Sequence, residues 1–495
     1  MKANTIPHVL TIDVGTSALK AVLYNAQGGV LASATERYGY EVPQPGWAEA
    51  NPEDWWIALT GALARLGTGG VDLKQVEVIG LTGQMHTAVL LDKLGQPLKP
   101  TMLWLDRRAV AETAELGAQL DLPPAQLNST YTLPKLLWLA RHQPDVLART
   151  QTILWPKDYL RYRLTGQLLT DVTEASGAAI FEESQQNWAV DRLRLVNLDP
   201  AVLPPIRPAG AETGPPLPDV AAILGLSPQV KVIVGAGDVI ALLGGAPPQL
   251  GRLTCSLGSS AMISSLIPDE QIVQDPQQRL YVYPHLPYRL LNGVLSTSGA
   301  SLTWARQALY GEETAWDSIL AAANAVPPGA EGLFFLPFLT GERCPYWNDA
   351  LRGGLYGLTF AHQRPQMIRA VMEGVAYSLR HLLDIAEELG VPIDEIALAG
   401  GGATVLGWPQ IIADVCQRPL LIYADQETVT KALYAYCVTA LDKNLLFDQA
   451  LQRTFDEPQL VTPRPELADI YHSIYDRYRM MADFAAEKMN SPEGV

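Results

Sequence analysis

An aspartate at the end of an apolar segment is the residue of this sequence best suited to acid–base chemistry. Val230–Val234 form a short apolar run, two glycines and an alanine follow, and Asp238 comes directly after them. A strand that ends in glycines lets a ligand approach the backbone closely, and a carboxylate at that point can act as a base. The same pattern also fits a strand followed by a helix that Asp238 caps. On these residues alone the two interpretations carry about equal weight.

Two turns that combine glycine with hydroxyl side chains are candidates for phosphate binding. Backbone N–H groups and hydroxyl donors suit phosphate oxygens. In the first turn Lys20 would add a positive charge, and Asp13 can hold a magnesium ion through water. Ordinary hairpins use the same residue types, but the repetition of the pattern indicates two related lobes. The two stretches are Asp13-Val-Gly-Thr16-Ser17-Ala-Leu-Lys20 and Ser256-Leu-Gly258-Ser259-Ser260.

Three further segments place polar or flexible groups next to predicted strands. The side chains of Gln84 and His86 suit sugar hydroxyls, although a lone histidine is more often a structural residue. Trp104 and Asp106 could stack on and hydrogen-bond a polyol, while a structural ion pair between Asp106 and a neighbouring arginine is an equally good interpretation. A glycine run between a strand and a helix lets a nucleotide lie against the backbone. The segments are Gly83-Gln84-Met85-His86, Trp104-Leu-Asp106-Arg-Arg and Gly400-Gly401-Gly402.

Composition narrows the class of protein. The chain has 495 residues, of which 48% are hydrophobic, and a net charge of -16, so it has enough apolar material for several buried cores and no basic excess for binding nucleic acid. Its four scattered cysteines form no CxxC pair and fit a reducing compartment. No secretory signal or membrane-spanning segment is recognisable. We therefore expect a cytoplasmic protein that binds neither nucleic acid nor membrane.

Alternating strand and helix patterns predict an α/β fold with an antiparallel hairpin at the start of each half. The segment 198–228 is rich in proline and is predicted to be a loop. The sequence contains no Walker A, GxGxxG, HExxH or GxSxG motif, so P-loop, Rossmann, zincin and α/β-hydrolase interpretations lack their main support. Strands are predicted at 8–14, 19–25, 30–38, 76–81, 87–91, 230–234, 252–257, 262–266 and 395–399, and helices at 51–63, 134–142, 157–164, 365–389, 407–417, 430–441 and 466–488.

In this order the motifs resemble the FGGY family of carbohydrate kinases over nearly the whole chain. Residues 353–373 fit the C-terminal signature of that family throughout, and residues 130–138 fit the N-terminal one except at Thr130. Within the family, 83–86 and 155–166 look most like xylulose kinases, whereas 335–348 lean toward gluconate kinases. The resemblance implies an α/β fold of two ribonuclease H-like lobes with a cleft between them.

The resemblance also implies roles for individual residues. Residues 1–249 would form an N-terminal sugar-binding lobe and 250–495 a C-terminal ATP-binding lobe. Asp238 would take the proton of the terminal hydroxyl of the sugar and touch its reacting end, and Asp13 would help to hold Mg²⁺. Gln84, Met85, His86, Trp104 and Asp106 remain the other candidates for contact with the sugar. The candidates for contact with ATP are Thr16, Ser17, Lys20, Gly258, Ser259, Gly299, Gly401 and Gly402.

Some positions depart from the family pattern. Thr87 stands where xylulose kinases usually have glycine, and Thr404, Val405 and Ala432 replace residues that are usual on the adenosine side. The leading hypothesis is an ATP-dependent kinase that converts D-xylulose to D-xylulose 5-phosphate. Gluconate, ribulose or polyol kinases are alternatives within the family, a degenerate sugar-sensing protein is an alternative outside catalysis, and a glycosidase with paired carboxylates is a distant third. A homodimer is left open as its assembly.

Overall fold

The structure is a computed structural model that describes residues 8–122, 127–182, 185–268, 271, 273, 275–283, 288–311, 314–423 and 427–488. Residues 1–7, on which the prediction of no secretory signal depends, lie outside the described residues. The chain divides into two compact units. The first comprises residues 1–244 and 428–454, and the second comprises 245–427 and 455–495.

Residues up to 244 contain thirteen described strands and nine described helices. The strands are β1 His8–Val14, β2 Ala18–Tyr24, β3 Val30–Arg37, β4 Glu49–Ala50, β5 Val76–Gly83, β6 Val89–Leu91, β7 Thr101–Met102, β8 Thr152–Leu154, β9 Phe181–Glu182, β10 Asn187–Trp188, β11 Glu212–Gly214, β12 Lys231–Ile233 and β13 Ala236–Gly237. The helices are α1 Pro52–Thr68, α2 Val110–Leu120, α3 Thr132–His142, α4 Pro144–Arg149, α5 Pro156–Thr165, α6 Val172–Gly177, α7 Val190–Arg194, α8 Pro218–Leu224 and α9 Ala241–Gly244.

The described elements of the rest of the chain follow in order. The strands are β14 Gly251–Leu257, β15 Ala261–Leu266, β16 Tyr281–Tyr283, β17 Leu290–Leu295, β18 Phe334–Leu336, β19 Gly354–Tyr356, β20 Ile393–Ala399, β21 Leu420–Ile422 and β22 Gln459–Val461. The helices are α10 Gly299–Tyr310, α11 Trp316–Asn324, α12 Arg364–Glu388, α13 Trp408–Cys416, α14 Thr428–Leu441, α15 Phe447–Gln452 and α16 Ala468–Lys488.

The main sheets of the two units share one strand arrangement. In the first unit the order is β11-β12-β5-β1-β2-β3, with β13 paired to the end of β5. In the second unit it is β16-β17-β15-β14-β20-β21-β22. Each sheet contains an antiparallel hairpin, β1–β2 in the first unit and β14–β15 in the second. The first strand of each hairpin also pairs in parallel with a later strand, β1 with β5 and β14 with β20. The predicted α/β class and the repeated hairpin are therefore confirmed.

The division of the chain differs from the predicted boundary in one segment. The prediction assigned all of 250–495 to the second lobe, whereas α14 and α15 pack with the first unit. The Tyr24 hydroxyl lies 2.8 Å from the Thr430 hydroxyl, and the Tyr434 hydroxyl donates to the Ala26 carbonyl oxygen at 2.8 Å. A side chain at Gly80 on β5 would collide with the Cys437 sulfur at 2.6 Å. These contacts bury α14 in the first unit.

The longest helix shows how sequence pattern determines local structure. In α12, the apolar positions that recur every three or four residues are buried, as expected for a helix that packs on a sheet. Gly390 follows the helix with φ 81°, a conformation that favours glycine.

The prediction of a loop over 198–228 was partly wrong, because that segment contains β11 and the short helix α8. Those elements are too short for a clear periodic signal.

Candidate active site

Three parallel strands of the first unit end at one edge of its sheet and bring two carboxylates there. Asp13 near the end of β1 is in register with Thr82 on β5, and Gly237 at the end of β13 is in register with Gly83. Asp238 follows Gly237 directly. Open α/β sheets bind ligands outside the carboxyl ends of their strands. The structure therefore places Asp13 and Asp238 where such a sheet binds a ligand.

The chain reaches Asp238 through a turn that only glycine can form. Gly235 has φ 78°, and a Cβ atom there would lie 1.9 Å from the Leu81 carbonyl oxygen. A short 3-10 turn begins at Asp238, and Gly237 occupies its N-cap position. The alternative interpretation of Asp238 as the cap is thus wrong, since Asp238 is the first residue of the turn.

The setting of Asp238 makes its carboxyl a weaker acid. Asp238 is an exposed residue by accessible surface, although many protein atoms lie close to its carboxyl. Desolvation by these atoms, with the negative charge of Asp13, raises the pKa of Asp238 to about 7. Hydrogen bonds from the backbone N–H groups of Asp238 and Met85 oppose the shift. A carboxyl with a pKa near neutrality is a better proton acceptor than an ordinary aspartate.

The first hairpin carries three of the predicted phosphate contacts. Lys20 on β2 stands opposite Asp13 in the β1–β2 register, so a cation and a carboxylate share this end of the hairpin. Ser17 is exposed at the tip of the turn. The hydroxyl of Thr16, in contrast, is engaged within the protein. These positions remain predictions for phosphate binding.

A hydrogen-bond network joins this hairpin to two of the predicted sugar contacts. The Thr16 hydroxyl donates to the Gln84 side-chain oxygen at 3.4 Å and accepts from the Trp104 indole N–H at 2.9 Å. The Gln84 amide donates to the Gly15 carbonyl oxygen at 3.2 Å, and the Thr87 hydroxyl accepts the backbone N–H of Trp104 at 3.1 Å. Thr16 thereby orients Gln84 and Trp104, and its contact with phosphate stays a prediction.

Met85 and His86 are held by α6, which sequence reasoning did not identify. A Cβ atom at Gly177 would lie 2.6 Å from the Met85 methyl carbon, and one at Gly237 would lie 2.5 Å from Met85 Cγ. His86 Nδ1 lies 2.5 Å from the Gly177 carbonyl oxygen, so Nδ1 carries the proton and donates it. The ring also packs on Tyr131 at 4.7 Å between centroids. These contacts fix both side chains beside the Asp238 strand.

Asp106 is a structural residue, and its predicted contact with the sugar is not supported. Its carboxylate is fully buried and accepts the Ala48 backbone N–H at 2.6 Å. Arg108 approaches the same carboxylate at 2.7 Å, pairs with Glu49 at 2.7 Å and lies over the Trp47 ring. Both carboxylate oxygens are occupied, so the ion-pair interpretation is the correct one.

A buried ion network lies behind the site and was also missed. The Lys157 ammonium lies 2.6 Å from Asp158 and 2.9 Å from Asp171, and Arg161 lies 2.7 Å from Asp158. All four side chains are inaccessible to solvent. Desolvation would lower the pKa of Lys157, but the surrounding carboxylates raise it above the usual value. The sequence signal that could have revealed this network is the pair of adjacent charged residues at the start of α5.

The network connects to Asp238 through α6. Asp171 accepts the backbone N–H of Thr173 at 2.8 Å and its hydroxyl at 2.6 Å. The Thr173 hydroxyl in turn accepts the Gly237 N–H at 2.7 Å, one residue before Asp238. Glu174 is fully buried, and in the described part of the chain its carboxyl has no hydrogen-bond partner. Burial raises the pKa of Glu174 well above its usual value, while the nearby Lys157 ammonium opposes the shift.

The second unit builds its glycine turn against the start of α10. Gly258, Ser259 and Ser260 are exposed between β14 and β15. The Gly258 carbonyl oxygen accepts the Gly299 N–H at 2.9 Å, and the Ser259 carbonyl oxygen accepts the Ser298 N–H at 2.8 Å. A Cβ atom at Gly299 would lie 2.5 Å from the Gly258 oxygen. The structure thus brings together three predicted nucleotide residues, Gly258, Ser259 and Gly299.

The glycine run after β20 reaches the same sheet edge. Gly400 has φ 84°, and a Cβ atom there would lie 2.9 Å from the Leu257 carbonyl oxygen at the end of β14. Gly402 packs on the Leu257 side chain, while Gly401 faces open space. An exposed backbone without side chains fits a nucleotide that lies against it. Ala432, which was predicted for the adenosine side, is buried in α14 and packs with the first unit.

Comparison with known proteins identifies the family. Residues 8–244 match the model for the FGGY family of carbohydrate kinases, N-terminal domain, and residues 253–430 match the corresponding C-terminal domain. The chain therefore belongs to the FGGY family and is an ATP-dependent sugar kinase. It is 34% identical to the xylulose kinase of Escherichia coli (strain K12) over 416 residues, which cover 83% of this chain and 85% of that protein.

Solved structures show the same fold. The xylulose kinase of Lactobacillus acidophilus superposes with a TM-score of 0.88 and 27% identity, over 97% of this chain and 99% of that one. The gluconate kinase of the same organism also gives a TM-score of 0.88, with 26% identity over 97% and 98% of the two chains. Among the described residues, no helix is both long enough and apolar enough to cross a membrane.

Proposed function

We propose that this kinase phosphorylates the terminal hydroxyl of D-xylulose to give D-xylulose 5-phosphate. The observation that carries the proposal is the position of Asp238 at the strand ends beside Met85 and His86, with its pKa raised to about 7. Matching relatives named xylulose kinase, and the Gly83-Gln-Met-His86 motif, support xylulose as the acceptor. The proposed first-unit site is polar at Gln84 and His86 and apolar at Met85, as a ketose requires.

In this mechanism Asp238 accepts the proton of the sugar hydroxyl while the hydroxyl oxygen attacks the γ-phosphorus of ATP. The bond from that phosphorus to the bridging oxygen breaks, and ADP leaves with the bridging oxygen. Because the transition state of phosphoryl transfer is loose, positioning and electrostatics contribute most of the catalysis. Gln84, Trp104 and His86 would orient the sugar, and their fixed hydrogen bonds limit the cost of ordering them on binding.

The second unit would bind ATP. Its glycine turn at 258–260 and the exposed run at Gly401 offer backbone atoms without side-chain bulk. The hydroxyls of Ser259 and Ser260 can donate to phosphate oxygens. We assign the sugar to the first unit and ATP to the second for these reasons, with α14 and α15 belonging to the sugar unit.

The residues at the strand ends also fit a magnesium ion. Two carboxylates, Asp13 and Asp238, interact electrostatically there, and the described residues contain no group of three or more acidic, histidine or cysteine side chains arranged to hold a metal. Mg²⁺ in kinases is typically held by one or two carboxylates, substrate phosphates and water rather than by a full protein cage. Asp13 would hold the ion, which would neutralise phosphate charge when bound.

A gluconate kinase is the second candidate function. The structural likeness to the gluconate kinase from Lactobacillus acidophilus equals that to the xylulose kinase in TM-score, and Thr87 departs from the usual xylulose-kinase residue. Ribulose and polyols are further acceptors within the same chemistry.

The test is ADP release with ATP, Mg²⁺ and a panel of ketoses, polyols and aldonates. We expect the highest kcat/KM with D-xylulose, and preference for gluconate would favour the second candidate. Sugar-induced thermal stabilisation without ADP release from any acceptor would instead indicate a sensor. In the same assay Asp238→Asn should lower kcat at least about 100-fold while sugar binding is retained. Near-normal turnover by that variant would remove Asp238 from the role of base.

A further inference from the structure

The nucleotide side of the second unit lacks a positive charge in the segments that form it. No lysine or arginine occurs in 253–264, 296–305 or 400–417, which contain the glycine turn, the start of α10 and the glycine run. From these segments of the second unit, only backbone and hydroxyl donors would face the highly charged triphosphate, in a chain of net charge -16. Binding of a triphosphate at such a site is favoured when another segment supplies a cation.

Arg343 is an exposed arginine in the segment between β18 and β19. In the described part of the chain no carboxylate pairs with its guanidinium. Other arginines of this unit are engaged, as Arg252 is with Glu395 at 2.7 Å and Arg369 with Glu373 at 2.7 Å. An arginine with no carboxylate partner among the described residues can bind phosphate without breaking an ion pair of that part of the chain.

The backbone of Arg343 is fixed against the segment that precedes α10. The buried Glu342 carboxylate accepts the N–H groups of Ser296 at 2.6 Å and Arg343 at 2.8 Å through one oxygen. The Ser296 hydroxyl also accepts the Arg343 N–H at 3.1 Å. One residue further, the Cys344 N–H donates to the Val294 carbonyl oxygen at 3.1 Å. Residues 342–344 therefore lie directly beside the end of β17.

This attachment brings Arg343 close to the glycine turn. Ser298, two residues after Ser296, binds the turn through its N–H to Ser259 and its hydroxyl to Gly258, the latter at 2.9 Å. Two residues of extended chain span at most about 7 Å. Arg343 is thus joined to the glycine turn through the short segment 296–298.

We propose that Arg343 binds the triphosphate of ATP through its guanidinium and that Glu342 positions it through the backbone. The inference rests on the proposed assignment of ATP to the glycine turn of the second unit. Arginine suits this task because its planar guanidinium donates two parallel hydrogen bonds to phosphate oxygens. In the reaction it stabilises the negative charge on the phosphoryl and leaving-group oxygens.

The test compares Arg343→Ala and Arg343→Gln with the wild-type full chain. Both variants should lower kcat/KM for ATP about 10- to 100-fold and weaken binding of a non-hydrolysable ATP analogue, measured by calorimetry. The affinity for D-xylulose alone should stay within twofold of wild type. Arg343→Lys should recover part of the loss, because lysine retains the charge without the second hydrogen bond.

The matched control is Arg352→Ala, an exposed arginine of the same segment that donates to the Asp349 and Leu351 carbonyl oxygens. It should leave ATP kinetics unchanged. Unaltered ATP-analogue affinity and kcat/KM in both Arg343 variants would overturn the inference while leaving the kinase proposal intact. If wild type phosphorylates no acceptor, the proposed function fails, and the calorimetric comparison still decides whether Arg343 binds the nucleotide.

Discussion

The raised pKa of Asp238 affects both its proposed role as a base and the stability of the folded protein. The residue must lose its proton to act as a base, and its surroundings disfavour the charged form. We expect kcat/KM for sugar to fall about tenfold per pH unit below a pH of about 7. The measurement is a pH profile at saturating ATP in buffers of constant ionic strength. A profile that stays flat down to about pH 5 would exclude Asp238 as the titrating base.

The same shift predicts the stability of Asp238→Asn in the absence of ligands. The folded-state pKa of about 7 exceeds the ordinary value of 3.8, so the folded wild type binds more protons than the unfolded chain between these values. Wild-type stability therefore falls as pH rises through that window, and the cost is fully present above it. Asparagine does not titrate, so the variant should be more stable than wild type at about pH 8 and nearly equal to it at about pH 4.

Thermal unfolding at both pH values checks this sign. Asp191→Asn is the control, because Asp191 is an exposed residue paired with Arg194 and should show no such dependence. A difference in stability between variant and wild type that is no larger at about pH 8 than at about pH 4 would mean that Asp238 is not the source of the shift.

Individual residues also mark the limit of sequence reasoning. Asp13 and Asp238 could be singled out because each follows an apolar run at a predicted strand end. Asp106 was ambiguous, because it is held by the Ala48 N–H and by Arg108, and Arg108 is in turn paired with Glu49; Ala48 and Glu49 lie far away in the chain. The role of Thr16 could not be predicted either, because it depends on Gln84 and Trp104, which lie more than sixty residues along the chain.

At the scale of elements, α6 is the part of the site with the weakest sequence signal. It has only six residues, yet it holds His86, packs on Met85 and accepts the N–H of Gly237. Short helices carry little periodicity, and the glycine at its end looks like an ordinary turn residue. The buried network around Lys157 fixes the start of α6 through Asp171. The geometry of the candidate site therefore depends on charges that are buried behind it.

Lys157→Met tests this dependence. Removing one partner leaves Asp158 and Asp171 buried with less compensation, and breaking a buried ion pair typically costs about 3–5 kcal/mol. The free energy of unfolding, from urea titration, should fall by this amount. Sugar KM should rise where the variant remains folded, because α6 loses its fixed start.

Lys231→Met is the matched control for that variant. Lys231 pairs with Glu212 at 2.7 Å, about the same distance as in the buried pair, but both side chains are roughly 40% exposed. Such a surface pair contributes about 0–1 kcal/mol. Equal losses of stability in the two variants would show that the buried network has no special structural role.

At the scale of the whole molecule, the repeated sheet explains why the motifs occur in two sets. β1 and β5 carry Asp13 and Gln84 to one edge of the first sheet, and β14 and β20 carry Gly258 and Gly400 to the same edge of the second. The hairpin echo in the sequence was sufficient to predict this repetition. It could not predict that α14 packs with the first unit, because chain order does not determine which sheet a helix covers.

The packing of α14 and α15 predicts which fragment folds. A fragment of residues 8–249 leaves exposed the surface at Gly80 that Leu433 and Cys437 cover in the whole chain. Losing that burial costs about 25 cal/mol for each Å² of apolar surface. Joining residue 244 to residue 428 through a short linker covers this surface again. A short linker is sufficient because the two residues are close together: a Cβ atom at Gly244 would lie only 1.6 Å from the Thr428 carbonyl oxygen.

We expect the fused fragment, 8–244 joined to 428–454, to unfold cooperatively in urea, and the fragment 8–249 to show no cooperative transition. Calorimetry with D-xylulose then tests the proposed assignment of sugar to this unit, since the fused fragment should bind the ketose and should bind ATP much more weakly than the full chain does. Ala432→Asp in the fused fragment serves as a control, because it puts a charge into the buried face of α14 and should abolish the transition. A fragment 8–249 as stable as the fusion would show that α14 adds no essential part of this core.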